Sequence, residues 1–226
     1  MTYDQPTSAG DRLRTLAAVL FDFDGTIANT IPHILASFQY ATTEVFGAAL
    51  PDAVLMHNVG IPLARQTLEL AGGDQEIADR LLVSYRTFNH ATHDEMATLY
   101  PGVIEVLSAI QERGMPMGVV TSKGTPMAMR GIELFDLSRF FDVIVTSDDV
   151  PLHKPDPCPV LHAASLLGID AAATAYVGDS PHDVEAAKRA GAIAIAAGWG
   201  VSDPTRLTGA DYFIDDIREL PPLLFG

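Results

Sequence analysis

The segment Asp22-Phe23-Asp24-Gly25-Thr26 follows directly on the apolar run Leu16-Ala17-Ala18-Val19-Leu20-Phe21. Two carboxylates two residues apart therefore sit at the carboxyl end of a predicted buried strand. Like charges buried together are unfavourable unless a metal ion, a cation or a shared catalytic task compensates them, so the pair reads as an active site. Three more polar clusters fall at or just after predicted strand ends: Thr121-Ser122-Lys123, Lys154 within His153-Lys154-Pro155-Asp156-Pro157, and Gly178-Asp179-Ser180-Pro181-His182-Asp183. Ligands of open parallel sheets bind beyond the carboxyl ends of the strands, at a topological switch point. The four clusters are expected to converge there.

The elements that must position them alternate. After Asp24 comes a helical stretch, with Thr30 as its predicted N-cap, Pro32 in its first turn, and Ile31, Ile34, Leu35, Phe38, Ala41 and Val45 at helical spacing up to Gly47. Further helices are predicted over 62–71 and from Asp74 towards His93, the latter with Ile77, Leu81, Tyr85 and Phe88 on one face. Tyr100-Pro101-Gly102 marks a break. Beyond it, strands over 116–121, 142–146, 173–177 and 192–196 alternate with helices over 103–113, 126–135, 157–167 and 182–190. Such alternation predicts an α/β fold, a Rossmann-like parallel sheet with helices on both faces. The expected organisation is a core of residues 1–29 and 99–226, interrupted after its first strand by a helical insert over 30–98 that can cover the strand ends.

Composition excludes several classes. The 226 residues are long enough for a substantial core, and a mean hydropathy of +0.19 argues against disorder. Fourteen basic against twenty-nine acidic residues give a net charge of −15, which does not attract nucleic acid or an anionic membrane. No apolar run is long enough to span a bilayer. The stretch Met1 to Arg14 lacks a secretory pattern, so the expected location is cytoplasmic. The single cysteine, Cys158, excludes an internal disulfide and a cysteine-based metal cluster. It sits at a predicted helix start, where a thiol can be activated or can serve as an ordinary first-turn residue. An acidic chain that handles phosphate must find positive potential in a metal, a lysine or helix N-termini.

Taken in order, the four clusters resemble the four motifs of the haloacid dehalogenase superfamily, from about Val19 to the last strands. Asp22-Phe23-Asp24-Gly25-Thr26 resembles the first motif, Thr121-Ser122 the second, Lys154 the third, and Gly178-Asp179 with Asp183 the fourth. The insert resembles the family's C1 cap. The resemblance implies that Asp22 attacks phosphorus to give an aspartyl-phosphate, splitting one hard step into two easier ones. It implies that Asp24 serves as general acid and then base. It assigns Mg²⁺ to Asp22, the carbonyl of Asp24 and Asp179, with Asp183 as a further candidate. Thr121 and the Ser122 amide would hold the phosphate, and Lys154 would neutralise it. Dehalogenases of the superfamily lack an acid at the position of Asp24, so its presence favours phosphate chemistry. The expected activity is a phosphatase acting on a small phosphorylated metabolite of phosphoglycolate type, with an inorganic pyrophosphatase or a sugar phosphomutase of β-phosphoglucomutase type as alternatives. Asn29 stands where such enzymes often carry an acid. Relatives occur as monomers or homodimers, and both remain open here.

Simpler roles stand beside these. Asp-Gly is a common turn pair. Thr121-Ser122 can cap a helix, although Thr125-Pro126 offers a better start. Ser180-Pro181-His182-Asp183 fits a capping box, so Asp183 can serve helix initiation as well as a metal or Lys154. Lys123 suits either the site entrance or solvent. Arg65, one turn beyond Asn58-Val59-Gly60-Ile61-Pro62, suits either the leaving group or an exposed helix face. His33, His57, His90, His93 and His162 show no ligand spacing and are expected to pack or lie at the surface.

Overall fold

The computed structural model describes residues 12–226; the N-terminal stretch read above for a leader lies, through residue 11, outside them. Six strands form one parallel sheet: β1 (Ala18–Phe21), β4 (Met117–Val120), β5 (Val143–Val145), β6 (Thr174–Gly178), β7 (Ile193–Ala197) and β8 (Tyr212–Ile214). Their order is β5-β4-β1-β6-β7-β8. The chain runs outward from β1 through β4 to β5, then returns to β6 on the other side of β1. The switch point therefore lies at the end of β1, where Asp22 begins.

Alternation along the strands builds two apolar layers. Val19 and Phe21 of β1 face α5 (Val103–Glu112), α6 (Thr125–Leu134) and α9 (Leu220–Phe225), with Leu107, Ile110, Ile132 and Leu224 in that layer. Leu20 faces the other way, to α7 (Cys158–Leu167) and α8 (Pro181–Ala190), with Val160, Ala163, Val184 and Ala187. Both faces of the sheet are covered, as its continuous apolar strands require.

Between β1 and β4 the chain forms α1 (Ile31–Phe46), α2 (Asp52–Leu55), α3 (Leu63–Leu70) and α4 (Gln75–Met96). These share their own apolar cluster, centred on Phe38, Ala41, Leu55, Leu81 and Tyr85. A two-stranded antiparallel ribbon, β2 (Ala28–Asn29) with β3 (Thr98–Leu99), joins the segment to the sheet at its two ends. Arg130 of α6 reaches across to α4, its Nε and Nη2 donating to Asp94 at 2.9 and 3.0 Å and its Nη1 to the His90 carbonyl at 2.7 Å.

Helix boundaries lie close to the predicted ones, with two differences of chemistry. Thr30 stands at the N-cap position of α1 but caps nothing; its hydroxyl donates to Asp24 Oδ1 instead. Thr125 lies inside α6, after the N-cap Gly124, and its hydroxyl pairs with that of Thr146. Among the described residues no helix is long and apolar enough to cross a membrane.

Candidate active site

A cavity of about 540 Å³ opens between the carboxyl ends of the strands and the helices α1, α3 and α4. Asp22, Asp24, Ser122, Lys123 and Asp179 line its sheet side. Each is delivered by the loop that leaves a central strand, because a parallel strand must end in a turn before its crossover helix.

Asp22 continues the ladder of β1, its N–H donating to the Val177 carbonyl at 2.8 Å. Its Oδ1 accepts from the Phe23 N–H at 2.8 Å and lies 3.0 Å from Lys154 Nζ. Its other oxygen, Oδ2, makes no hydrogen bond among the described residues. Burial pushes this carboxyl up to about 7, with Lys154 pulling it down and Asp183 and Asp24 adding to the rise.

Lys154 is buried with only 2 % of its surface exposed. Its Nζ donates to Asp183 Oδ1 at 2.6 Å and to Tyr176 Oη at 2.9 Å. Burial alone would depress the ammonium, yet the charges of Asp183 and Asp22 hold it above the ordinary lysine range. Asp183 is in turn fully engaged. Its Oδ1 accepts from Lys154 and from Tyr176, and its Oδ2 accepts from the Ser180 N–H at 3.0 Å and hydroxyl at 2.6 Å. The capping box of α8 is therefore formed, and the residue that starts the helix also holds Lys154. Burial opposes its charge, but Lys154 holds Asp183 below the usual carboxylate range.

Asp179 has one engaged oxygen, Oδ2, which accepts from the Val201 N–H at 2.7 Å. Burial, with Asp183 and Asp22 close by, pushes it well above the usual range. Oxygens of Asp22, Asp179 and Asp183 lie within 4.8 Å of one another, with one lysine among them. Three buried carboxylates against one ammonium leave a deficit of positive charge, and hard oxygen donors suit Mg²⁺. The donor set thus fits the ion, with Asp179 keeping a free oxygen to offer.

Asp24 is tied differently. Its Oδ1 and Oδ2 accept from Lys123 Nζ at 2.7 and 2.9 Å, and Oδ1 also accepts from Thr30. Burial would raise this carboxyl, but Lys123 and then Thr30 hold it below its usual value. Lys123 accordingly lines the cavity with its ammonium on Asp24 rather than in solvent. Thr121 is buried, and its Oγ1 accepts from the Lys123 N–H at 3.2 Å. The Ser122 hydroxyl is buried without a partner, beside the same cavity.

Arg65 needs correcting. It does not line the cavity; its side chain is 66 % exposed and pairs with Glu69 one turn on. The buried residues of α3 are Gln66 and Thr67, so the helix turns Arg65 to solvent. The cation that α4 brings to the cavity is Arg86, which the sequence reading did not single out. Its signal was its place beside Tyr85, on the edge of the apolar face. His33 and His93 are packed, as expected, with their rings 5.7 Å apart.

Gly25 holds the turn after the two aspartates at φ +81°, and a Cβ there would stand 2.2 Å from Asp179 Oδ2. Gly25→Ala is expected to lower the melting temperature, since the left-handed conformation alone costs about 1–2 kcal/mol, and to lower turnover roughly tenfold or more by displacing Asp179. Calorimetry and phosphate release at saturating Mg²⁺ check both; wild-type values for each would show that the turn tolerates the methyl group.

The sheet order, the switch point and the carboxylate cluster define a hydrolase of one class. Residues 19–197 match the haloacid dehalogenase-like hydrolase family, and the chain belongs to that family. It is a phosphatase of that family. The chain is 37 % identical to pyrophosphatase PpaX of Bacillus pumilus over 83 % of its length and 85 % of the relative's. It is 36 % identical to pyrophosphatase PpaX of Halalkalibacterium halodurans, over 91 % and 94 %. Among solved structures it resembles a predicted phosphatase from Clostridium acetobutylicum (TM-score 0.82, 28 % identity, 92 % of this chain and 97 % of that one). The same fold is seen in a predicted phosphoglycolate phosphatase from Haemophilus somnus (TM-score 0.83, 22 % identity, 92 % and 98 %).

Proposed function

We propose that this phosphatase is Mg²⁺-dependent, works through an aspartyl-phosphate on Asp22, and hydrolyses a small phosphate compound, with inorganic pyrophosphate ahead of phosphoglycolate. The observation that carries the mechanism is the free Oδ2 of Asp22, a residue that lines the cavity with Ser122 and whose Oδ1 is held by Lys154. The order of substrates rests on the PpaX relatives, which align over nearly the whole chain.

In this reading Asp22 Oδ2 attacks phosphorus and the leaving group departs; water then attacks the same phosphorus and frees Asp22. Thr121 and the Ser122 amide hold phosphoryl oxygens, and Lys154 offsets their charge. Asp24, held ionised by Lys123 and Thr30, takes a proton from the attacking water. Asp22, Asp179 and the Asp24 carbonyl would hold Mg²⁺, with Asp183 supporting Lys154. The ion would supply charge neutralisation at the phosphoryl oxygens. Residues 30–98 act as the cap over a core of 1–29 and 99–226, and closing it limits the access of water.

Phosphate release from pyrophosphate, phosphoglycolate and β-glucose 1-phosphate tests the reading. Turnover is expected with Mg²⁺, background rates in excess chelator, and recovery when Mg²⁺ is restored. Equal rates in chelator would remove the metal. Conversion of β-glucose 1-phosphate to the 6-phosphate with little phosphate released would replace the phosphatase by a mutase.

A further inference from the structure

Four residues of α4 face the cavity in two adjacent helical rows, buried Tyr85 and Asn89 and, beside them, exposed Arg86 and His90. Lys123, the cation on the opposite wall, is bound to Asp24 at both carboxylate oxygens. Lys154 lies beneath the site against Asp22 and Asp183. Arg86 differs from both, since no carboxylate of the described residues lies within ion-pair distance of it. An unpaired guanidinium on this wall is notable in a chain of net charge −15, whose cavity already presents Asp22, Asp24 and Asp179. An anion entering there meets repulsion from the sheet side and attraction from α4.

We infer that Arg86 is the specificity residue of this enzyme, binding a second anionic group carried by the leaving portion of the substrate. The inference rests on the phosphatase reading above. The transferred phosphoryl group belongs to the strand ends, with Asp22 and Ser122. Arg86 stands on the helical wall of the same cavity, away from the strand ends, on the side toward which the substrate's leaving portion would extend. A guanidinium matches a phosphate or a carboxylate in bidentate fashion, and both are planar or multi-oxygen anions that the fork geometry suits. His90, four residues on, borders the same position. The substrate class is thus a small phosphate compound whose leaving group is itself an anion. A phosphoanhydride supplies that anion as phosphate, and a phosphorylated hydroxy acid supplies it as carboxylate.

The test measures kcat/KM of the full chain with Mg²⁺ for pyrophosphate, phosphoglycolate and phenyl phosphate, whose leaving group carries no anion beyond the scissile oxygen. Wild-type enzyme is expected to prefer one of the two anion-bearing substrates. In Arg86→Gln the value for that substrate should fall roughly 10–100-fold, mainly through KM, as loss of a charged hydrogen-bonding partner implies. The fall for phenyl phosphate should be at least about tenfold smaller, and Arg86→Lys should recover part of the loss. Arg86 is exposed, so misfolding does not obscure the result. Equal falls on all three substrates, or a wild-type preference for phenyl phosphate, would overturn the assignment while leaving a phosphatase. Failure of wild-type enzyme on all three would instead sink the proposed function on which the assignment rests.

Discussion

Asp22→Asn is expected to lower turnover by roughly four orders of magnitude or more, the scale seen when a covalent nucleophile is removed. The substitution keeps the shape of the side chain, and Oδ1 can still accept from the Phe23 N–H. What it removes is the free carboxylate oxygen, and an amide is a poor nucleophile. Lys154 keeps its bond to Asp183, so the site should not collapse. Removing one of three clustered carboxylates also relieves repulsion, because burial and Asp183 both oppose the charge on Asp22. The metal-free variant should therefore melt at or above the wild-type temperature. Inactivity with undiminished stability separates a chemical role from a structural one. Acid quenching during turnover adds a direct readout: a phosphoryl group on the peptide containing Asp22 in wild type and none in the variant. Full turnover by Asp22→Asn would end the covalent mechanism.

How much of this was legible in the sequence depended on whether a residue's direction followed from its element. Asp22, Thr121 and Asp179 each end an apolar run, and a parallel sheet sends all such ends to one side, so their meeting could be expected from order alone. The two apolar layers were legible for the same reason, through alternation. Direction on a helix face was harder. Arg65 and Gln66 are neighbours on an amphipathic helix, and nothing local decides which one turns inward; packing against Leu55, whose carbonyl accepts from Gln66, decides it. Arg86 was hidden because its neighbour Tyr85 drew the apolar face, while the cavity lies along that face's edge. Thr30 looked like a cap because hydroxyls before helices usually are, but its backbone, at φ −105° and ψ −1°, is helical rather than extended as a capping residue's usually is, and its hydroxyl turns to Asp24. The β2–β3 ribbon, two residues on each side, is too short to carry a period. The capping box at Ser180 and Asp183 was readable as a box, and a bond from Asp183 to Lys154 was readable as one of its alternatives; choosing that alternative required knowing that strands β1, β4 and β6 adjoin.

Lys154→Met is expected to destabilise the metal-free protein by about 3–5 kcal/mol, the usual cost of leaving buried charges unpaired, and to abolish turnover. Methionine matches the lysine stem in length and fills the space, so lost packing contributes little. The loss falls on Asp183 and Asp22, which lie 2.6 and 3.0 Å from the ammonium, and on Tyr176, whose hydroxyl keeps Asp183 and the Val120 carbonyl as partners. Against a typical total of about 5–15 kcal/mol this is a large fraction. For a chain of this size it corresponds to a fall of roughly 10 °C in melting temperature. The charge argument makes a further demand. Adding Asp183→Asn to Lys154→Met removes one of the stranded carboxylates, so the double variant should regain part of the stability that the single one lost, a coupling that independent sites would not show. Activity should not return, because neither change restores a cation beside Asp22. Calorimetry of the four proteins in chelator reads the coupling, and a Lys154→Met variant that melts with wild type would mean that the three carboxylates do not depend on the lysine for their burial.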